Sequence, residues 1–414
     1  MQNVERYHQI FIKTSIFFFF SLLLIFPRGY NYGSTMLLVG SLLFLFYSIY
    51  KKVGFSDLVR QNKPIFMAIS FYFIVALFFV LFHGERLKLI DNPFRAYLFL
   101  SVIIFIGYSK IKFDVLLYSI PLGGVIAGLV ALYQYYILHL PSAFNEQMKI
   151  QSGDIAMSLG LFSFVISLYL LELKKNKLAL FSIIGALFGI LASILSFARG
   201  GWVGVPIILL IVLYTYKNMI SKKLLIALIL GTFASAIALS LNEQFVDRIL
   251  DAKNNLTYYF EGVKDGSIGA RLDMWKIGIN AFLEHPFSGW NLQELDNYKM
   301  SLVEKGIVSQ EFIVYSHLHN QFIDEVAKKG ILGGLAILGV FFIPLYVFYK
   351  KKNNMKDNKR VKFITTLAIV HILSTMAYCL TQAFIIHNSG NIFYFFVLFL
   401  FYAFMVNESA TTSE

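Results

Sequence analysis

The stretch GILGGLAILGVFFIPLYVFY, residues 330–349, contains no charged side chain. About 20 apolar residues are needed to cross the roughly 30 Å of bilayer hydrocarbon, so this stretch predicts a membrane-spanning helix. The rest of the chain has the same character: of 414 residues, 57% are hydrophobic and only 14% are charged, against about 25% charged in an ordinary soluble domain. The composition therefore predicts an all-α polytopic membrane protein.

The same rule, applied along the chain, predicts twelve spans. They lie at approximately 11–26, 33–50, 64–83, 94–109, 113–138, 155–173, 178–196, 201–216, 223–241, 330–349, 361–385 and 390–405. The chain then divides into three regions. Residues 1–241 hold spans one to nine, residues 242–329 form a large outer loop, and residues 330–414 hold spans ten to twelve and the C-terminal tail.

Lys and Arg concentrate in alternate turns between these spans, and the turn 350–362 alone contains seven of them. By the positive-inside rule, both termini are predicted to be cytoplasmic and the 242–329 loop to lie outside. The net charge of +12 is explained by this orientation and by contact with anionic membrane lipids. The outer loop itself has nine Lys or Arg against thirteen Asp or Glu, and no nucleic-acid partner is expected.

The outer loop is predicted to be a mostly helical subdomain. Residues 243–262 have helical spacing, and a second helix is expected from about Ser267 to Glu284. Gly289 and Gly306 are expected to break the following segment, and a third helix is expected to start near His317. The apolar stripe of the second helix is formed by Ile268, Leu272, Trp275, Ile279 and Phe282.

Arg199 follows the seventh span in the sequence LSFARGGWVG, with apolar residues on both sides. A guanidinium at the hydrocarbon edge is costly unless it snorkels or meets an anion. The adjacent Gly200 and Gly201 leave room for a bulky ligand, and Gly201 is predicted to start a helix whose free N–H groups favour anions. A snorkelling arginine at a tight turn is the structural alternative.

Arg271 lies on the second helix of the loop, one turn before Trp275. It is a second candidate for binding an anion. The alternative is a surface arginine that pairs with Asp265 or Asp273.

His317 and His319 lie two residues apart where the loop returns to the membrane. Two such imidazoles can share a zinc ion, but no third ligand is evident nearby. A neutral imidazole can instead act as a general base near pH 7. The structural alternative is that one of the two hydrogen-bonds across the loop.

The chain resembles the O-antigen ligase family. His319-Asn320, followed by nine residues, Gly330, two more residues and Gly333, reproduces the family signature. O-antigen polymerases and protein O-oligosaccharyltransferases of the same superfamily share much of this motif.

The resemblance extends to the twelve predicted spans and the large loop between spans nine and ten. It includes Arg199, the Gly-Ala-Arg-Leu sequence at 269–272, and the segment 91–95 in the second outer loop, which ends at Arg95. The chain departs from the family at Val203, where leucine is common. This departure leaves the packing of the turn after Arg199 less defined.

The resemblance implies a membrane-embedded glycosyltransferase of the GT-C-like type in the bacterial inner membrane, with the 242–329 loop in the periplasm. Its donor would be a glycan on undecaprenyl pyrophosphate and its acceptor a sugar of the lipid A core, in lipopolysaccharide biosynthesis. Transfer would be inverting and metal-independent, with no cofactor. The sequence is compatible with that chemistry, because it has no Walker-type phosphate loop, no dinucleotide fingerprint and no outer Asp-x-Asp pair.

On this interpretation His319 is the catalytic general base. Arg199 and Arg271 bind the pyrophosphate, and Arg95 is a further candidate for the same role. His317 and Asn320 are predicted to orient His319 or an acceptor sugar.

Two other functions are compatible with the sequence. A polymerase or protein oligosaccharyltransferase would use the same superfamily chemistry on another acceptor. A lipid-linked glycan flippase or transporter could also have twelve spans, although such proteins tend to show repeats and charged groups at mid-membrane. Here the candidate charges cluster beside one large loop, which favours chemistry at the membrane surface.

Overall fold

The computed structural model describes residues 2–51, 59, 60, 62–219, 267–308 and 315–410, together with isolated positions between 246 and 261. All the regular elements in this described part are helical. The α-helices are α1 (Gln2–Leu22), α2 (Asn31–Tyr50), α3 (Lys63–Phe82), α4 (Asp91–Leu98), α5 (Leu100–Ser109), α6 (Leu116–Leu132), α7 (Lys149–Glu172), α8 (Asn176–Leu195), α9 (Val205–Thr215), α10 (Ser267–Glu284), α11 (Leu292–Glu304), α12 (Gln321–Asn354), α13 (Lys359–Thr381) and α14 (Asn388–Ala410). Short turns of 3₁₀ or π-helix occur at Leu87–Ile90, Phe113–Val115, Tyr133–Ile137, Asn145–Gln147, Arg199–Trp202 and Phe384–Ile386.

Nine helical stretches within the described residues are long and apolar enough to cross a membrane. They coincide with predicted spans two to seven and ten to twelve, which confirms the all-α polytopic membrane fold. The first predicted span, 11–26, overlaps α1 but extends four residues past its end at Leu22. The eighth corresponds to α9, which has only 11 residues. The ninth, at 223–241, lies outside the described residues, so the total of twelve stays a prediction.

Helix α14 lies at the centre of the bundle. Of the residues in its most apolar stretch 94% are buried, against 33% in α2. It packs against α13 and α5, and α13 in turn packs against α7 and α12. Some polar groups inside this core pair with each other: the His371 imidazole lies 2.9 Å from the Tyr394 carbonyl oxygen, and the Ser158 and Tyr378 hydroxyls are 2.9 Å apart. The bundle therefore centres on its last described helix.

Small residues allow α6, α7 and α8 to pack closely. A Cβ atom added to Gly124 of α6 would lie 2.4 Å from the carbonyl oxygen of Gly185 in α8. On the other side of α8, a Cβ added to Gly189 would lie 2.7 Å from the backbone nitrogen of Gly160 in α7. Small residues at helix interfaces let backbones approach closely in membrane proteins. This contact fixes α7, which contributes to the candidate site.

The loop subdomain, defined here as residues 267–308 and 315–329, has a hydrophobic cluster of its own. Helix α10 has the predicted bounds, but the buried face differs from the predicted stripe: Ile279 is 49% exposed. The buried hydrophobic side chains of α10 are those of Ala270, Met274, Ile277 and Ala281. These small and medium-sized side chains face the rest of the subdomain because α10 packs against α12. The predicted stripe was instead based on the largest apolar side chains of the helix.

Gly289 and Gly306 have positive φ values, 61° and 65°, and end regular structure as predicted. The sequence did not predict helix α11 between them. A capping box stabilises its start, with the Asn291 side chain accepting the Glu294 N–H and the Glu294 side chain reaching back. The predicted helix at 243–262 lies largely outside the described residues.

Helix α12 begins at Gln321, four residues after the predicted start near His317. The Asn320 side chain caps it by accepting hydrogen bonds from the N–H groups of Phe322 and Ile323. Gly330 interrupts the helix with φ 57° and ψ −155°. A Cβ there would lie 2.5 Å from the Pro286 carbonyl oxygen, so this glycine lets the loop subdomain sit directly on the start of a span.

Candidate active site

The turn at 315–320 carries the two predicted histidines. His319 has φ 49°, in the left-handed region that non-glycine residues rarely adopt. Its backbone N–H donates to Nδ1 of His317 at 3.3 Å, and the two ring centroids are 4.4 Å apart. Tyr315 packs edge-on against His319 at 5.0 Å. Strained backbone of this kind persists where the surroundings hold it, and it is common at functional sites.

Two anchors hold this turn in place. Leu318, between the histidines, is fully buried in the cluster of the loop subdomain. Its N–H donates to Asp324 Oδ1 at 3.0 Å, and the other Asp324 oxygen accepts from Lys328 at 2.9 Å. Asn320, besides capping α12, donates from Nδ2 to the Leu380 carbonyl oxygen at 3.1 Å. The histidine turn is thus fixed both to the loop subdomain and to the end of α13.

A third histidine, which the sequence analysis missed, joins the cluster from the connection between α13 and α14. The His387 ring lies 5.4 Å from that of His317, and its Nε2 is 3.2 Å from Nε2 of Gln382. A signal was present, because the polar residues Gln382 and His387 interrupt two strongly apolar spans. Within the described residues, no group of three His, Cys, Asp or Glu is arranged to hold a metal ion.

Burial keeps these imidazoles neutral. Burial, and after it the positive charge of Arg271, lower the pKa of His319 to about 4. Burial and the neighbouring His319 likewise lower the pKa of His317 to about 4. Nδ1 of His319 is buried and has no hydrogen-bond partner among the described residues. At neutral pH His319 is therefore unprotonated and can accept a proton.

Arg271 and Arg199 come together at this cluster from distant parts of the chain. Burial lowers the pKa of Arg271, the charge of Arg199 lowers it again, and the charge of Asp154 opposes both. Each arginine side chain is half-buried. Two guanidinium groups held close in a partly dehydrated site favour a ligand with two or more negative charges, such as a pyrophosphate.

Asp154 is the second functional candidate that the sequence analysis missed. It lies on α7, is fully buried, and its carboxylate has no side-chain partner among the described residues. Cβ atoms added to Gly201 and Gly200 would lie 3.0 and 3.7 Å from its Oδ1. A Cβ on Gly200 would also lie 2.5 Å from the Thr381 hydroxyl. An ionisable residue inside a span is itself a signal of function.

The structure therefore changes the interpretation of the two glycines. They are buried, and they make room for Asp154 and Thr381 rather than for a ligand. Arg199–Trp202 forms a 3₁₀ turn, and helix α9 starts only at Val205, so Gly201 does not begin an anion-binding helix. The position of Arg199 beside Arg271 is instead set by this compact turn against α7.

Arg95 lies apart from the other two arginines, on α4. Its Nη1 donates to the side-chain oxygens of Asn92 at 2.8 Å and Asn388 at 3.1 Å. It lines a cavity that contains neither Arg199 nor Arg271. Asn388 follows His387 directly in sequence, so one short segment separates Arg95 from the histidine cluster.

The sequence was compared with known proteins. The sequence model of the O-antigen ligase family matches residues 184–338. An O-antigen ligase of Escherichia coli is 29% identical over 305 residues, which cover 68% of this chain and 70% of that protein. An uncharacterized protein of Haemophilus influenzae is 34% identical over 400 residues, covering 96% of this chain and 99% of the relative.

The chain belongs to the O-antigen ligase family. The matched stretch contains Arg199, Arg271, His317, His319 and Asn320. In this member of the O-antigen ligase family, the structure gathers the first four of these at one end of the bundle, and Asn320 anchors their turn. The remaining candidates, Arg95, Asp154, Gln382 and His387, lie outside the matched stretch.

Proposed function

We propose that this member of the O-antigen ligase family transfers a glycan from undecaprenyl pyrophosphate to a sugar of the lipid A core. The reaction takes place at the periplasmic side of the bacterial inner membrane, with both termini in the cytoplasm and residues 242–329 as the periplasmic loop. One observation carries the proposal: a neutral, half-buried His319 lies within electrostatic reach of Arg271, which in turn lies within electrostatic reach of Arg199.

His319 removes the proton from the acceptor hydroxyl as that oxygen attacks the anomeric carbon of the donor. The bond between the anomeric carbon and the pyrophosphate oxygen breaks on the opposite face, which inverts the anomeric configuration. Arg199 and Arg271 bind the pyrophosphate and stabilise the negative charge that develops on it as it leaves. The protein supplies both charges from side chains, so a divalent cation is not required.

Donor binding strengthens the base. In the free protein the charge of Arg271 contributes to the low pKa of His319. A bound pyrophosphate neutralises that charge, and the pKa of His319 rises toward its ordinary value. A general base is most effective when its pKa lies near the working pH. The base becomes effective only when the donor is in place, which couples donor binding to proton removal.

The neighbouring residues position this machinery. Asn320 fixes the histidine turn to α13, and His317 holds the His319 backbone through its ring nitrogen. His387 packs on the His317 ring, and Gln382 hydrogen-bonds His387 and His319. Asp154 lies within electrostatic reach of Arg271, and its carboxylate partly offsets that positive charge while no donor is bound.

The test is transfer by purified protein in detergent, with a polyprenyl-pyrophosphate-linked glycan, lipid A core and EDTA. Core-linked product in EDTA supports a metal-independent ligase. Elongated glycan that stays on the polyprenyl carrier identifies a polymerase, and product only on an added acceptor protein identifies an oligosaccharyltransferase. If no glycosyl bond is formed with any acceptor, while reconstituted protein moves the lipid-linked glycan across vesicles, the protein is a transporter.

A further inference from the structure

The cavity lined by Arg95 has a volume of about 690 Å³. It lies where the turn after α3 and the start of α4 meet the start of α11. Its lining includes three cationic side chains, Arg86, Lys88 and Arg95, and two carboxylates, Glu85 and Asp91. It is therefore a polar cavity with cations in excess.

The carboxylates and the cationic side chains of this cavity differ in the hydrogen bonds and ion pairs that they already form within the protein. Glu85 Oε1 accepts the N–H of Leu292 at 2.6 Å, so this carboxylate is committed to the start of α11. The exposed Asp91 carboxylate lies within electrostatic reach of Arg95, whose hydrogen bonds among the described residues go to neutral amide oxygens. Arg86 and Lys88 are exposed and form no ion pair with the described residues. The free charge that the cavity offers to a ligand is therefore positive.

The cavity adjoins the histidine cluster through one wall. Asn92 donates from Nδ2 to the Ile386 carbonyl oxygen at 2.5 Å, and Arg95 binds Asn388. Between these two contacts lies His387, whose ring packs on His317. A ligand in the cavity and a ligand at His319 are thus close neighbours, separated by residues 386–388.

Exposed apolar side chains lie beside the cavity, on the end of α3 and on the turn that follows it. The rings of Phe78 and Phe82 stack with centroids 5.7 Å apart, and both are exposed, as are Leu87 and Leu89 beside the cationic residues. Such a surface of apolar side chains next to cations fits a molecule that has acyl chains and an anionic head group.

We propose that this cavity binds the phosphate groups of the glycolipid acceptor, separately from the donor pyrophosphate. This inference rests on the proposed function. A ligase that joins two anionic lipids must hold both at once, and Arg199 and Arg271 are occupied by the donor. Arg86, Lys88 and Arg95 form a second cationic group at membrane level, one short segment from the base. Arg95 thereby acts on the acceptor and not, as the sequence analysis predicted, on the pyrophosphate.

Steady-state kinetics with each substrate varied in turn test this assignment. In the Arg86→Gln/Lys88→Gln double variant and in Arg95→Gln, the KM for phosphorylated lipid A core rises about tenfold or more, as expected for a lost charge-assisted hydrogen bond. The donor KM stays unchanged. With enzymatically dephosphorylated core, wild type and variants have the same raised KM. Lys149→Gln, at an exposed lysine in the first turn of α7, is the matched control.

Binding without turnover separates this inference from the proposed function. Native mass spectrometry of the protein in nanodiscs, without donor, measures retention of phosphorylated core, dephosphorylated core and phosphatidylglycerol. Phosphate-dependent retention of the core that the double variant loses supports the site, even if no transfer is observed and the proposed function fails. If the protein retained phosphatidylglycerol as well as it retains phosphorylated core, the inference would be overturned. A raised donor KM in the variants would also overturn it. Because Arg86 and Lys88 are exposed, their variant tests the site even if Arg95→Gln misfolds.

Discussion

Two groups of cationic side chains lie at the same end of the bundle, and their surroundings differ. Arg199 and Arg271 are half-buried over a buried carboxylate and beside neutral imidazoles. Arg86 and Lys88 are exposed around an open cavity, and Arg95 binds only amide oxygens. Charge interactions strengthen as water is excluded. The buried pair is therefore suited to stabilising a transition state, and the open group to recognising a substrate.

The largest effect is expected at the base. His319→Ala should lower kcat about 10²–10⁴-fold, because no other group takes the acceptor proton. The donor KM should change little, since the arginines remain. The measurement is single-turnover transfer, with the exposed His139→Ala as control. If His319→Ala retained near-normal kcat, His319 would not be the base.

Arg271→Gln should lower the rate about 10²–10³-fold, as expected when one group that stabilises the leaving charge is lost. Arg271→Lys should recover part of it, because an ammonium keeps the charge but loses the bidentate geometry. The exposed Lys276→Gln on the same helix is the control. If Arg95→Gln lowered kcat as much as Arg271→Gln, the two cationic groups would not differ in function as described above.

Asp154→Asn is expected to lower the donor KM by about tenfold. It removes a buried negative charge from beneath the two arginines, so an incoming pyrophosphate meets less competition. Glu304→Gln, at an exposed carboxylate in the last turn of α11, is the control. An unchanged donor KM would show that the Asp154 carboxyl is protonated and exerts no charge on the site.

The smallest effect is a shift in pH dependence. A base with a lowered pKa stays active to lower pH, so kcat/KM should hold from pH 7 to about 5 and fall through about 4, where His319 becomes protonated. Arg271→Gln removes a cause of the low pKa and should move this limb to higher pH. A wild-type limb near 6.5 would contradict the burial of His319.

Apolar length was sufficient to predict most of the fold. Nine predicted spans, the bounds of α10 and the breaks at Gly289 and Gly306 all follow from local composition. The buried face of α10 could not be predicted in this way, because it depends on how α10 packs against α12. The sequence pattern singled out Arg199, Arg271 and His319 but could not show that they meet.

Asp154 and His387 were missed for a physical reason. Asp154 lies near the start of a long apolar helix, and its importance depends on the turn at Arg199 that packs over it. His387 lies 68 residues after His319 in the chain, and only the packing of α12 and α13 brings the two connections together. Both cases depend on contacts between distant segments.

The central position of α14 has a consequence for biogenesis. Among the described helices, Asn388–Ala410 is the last to leave the ribosome, yet α13 and α5 pack against it. Until it inserts, the buried His371 lacks the Tyr394 carbonyl oxygen that it contacts. The earlier helices must therefore wait in the bilayer, close to the translocon, as an unfinished bundle. The segment that carries His387 and Asn388 enters with this helix, so the helical bundle and the candidate active site are completed in the same late step.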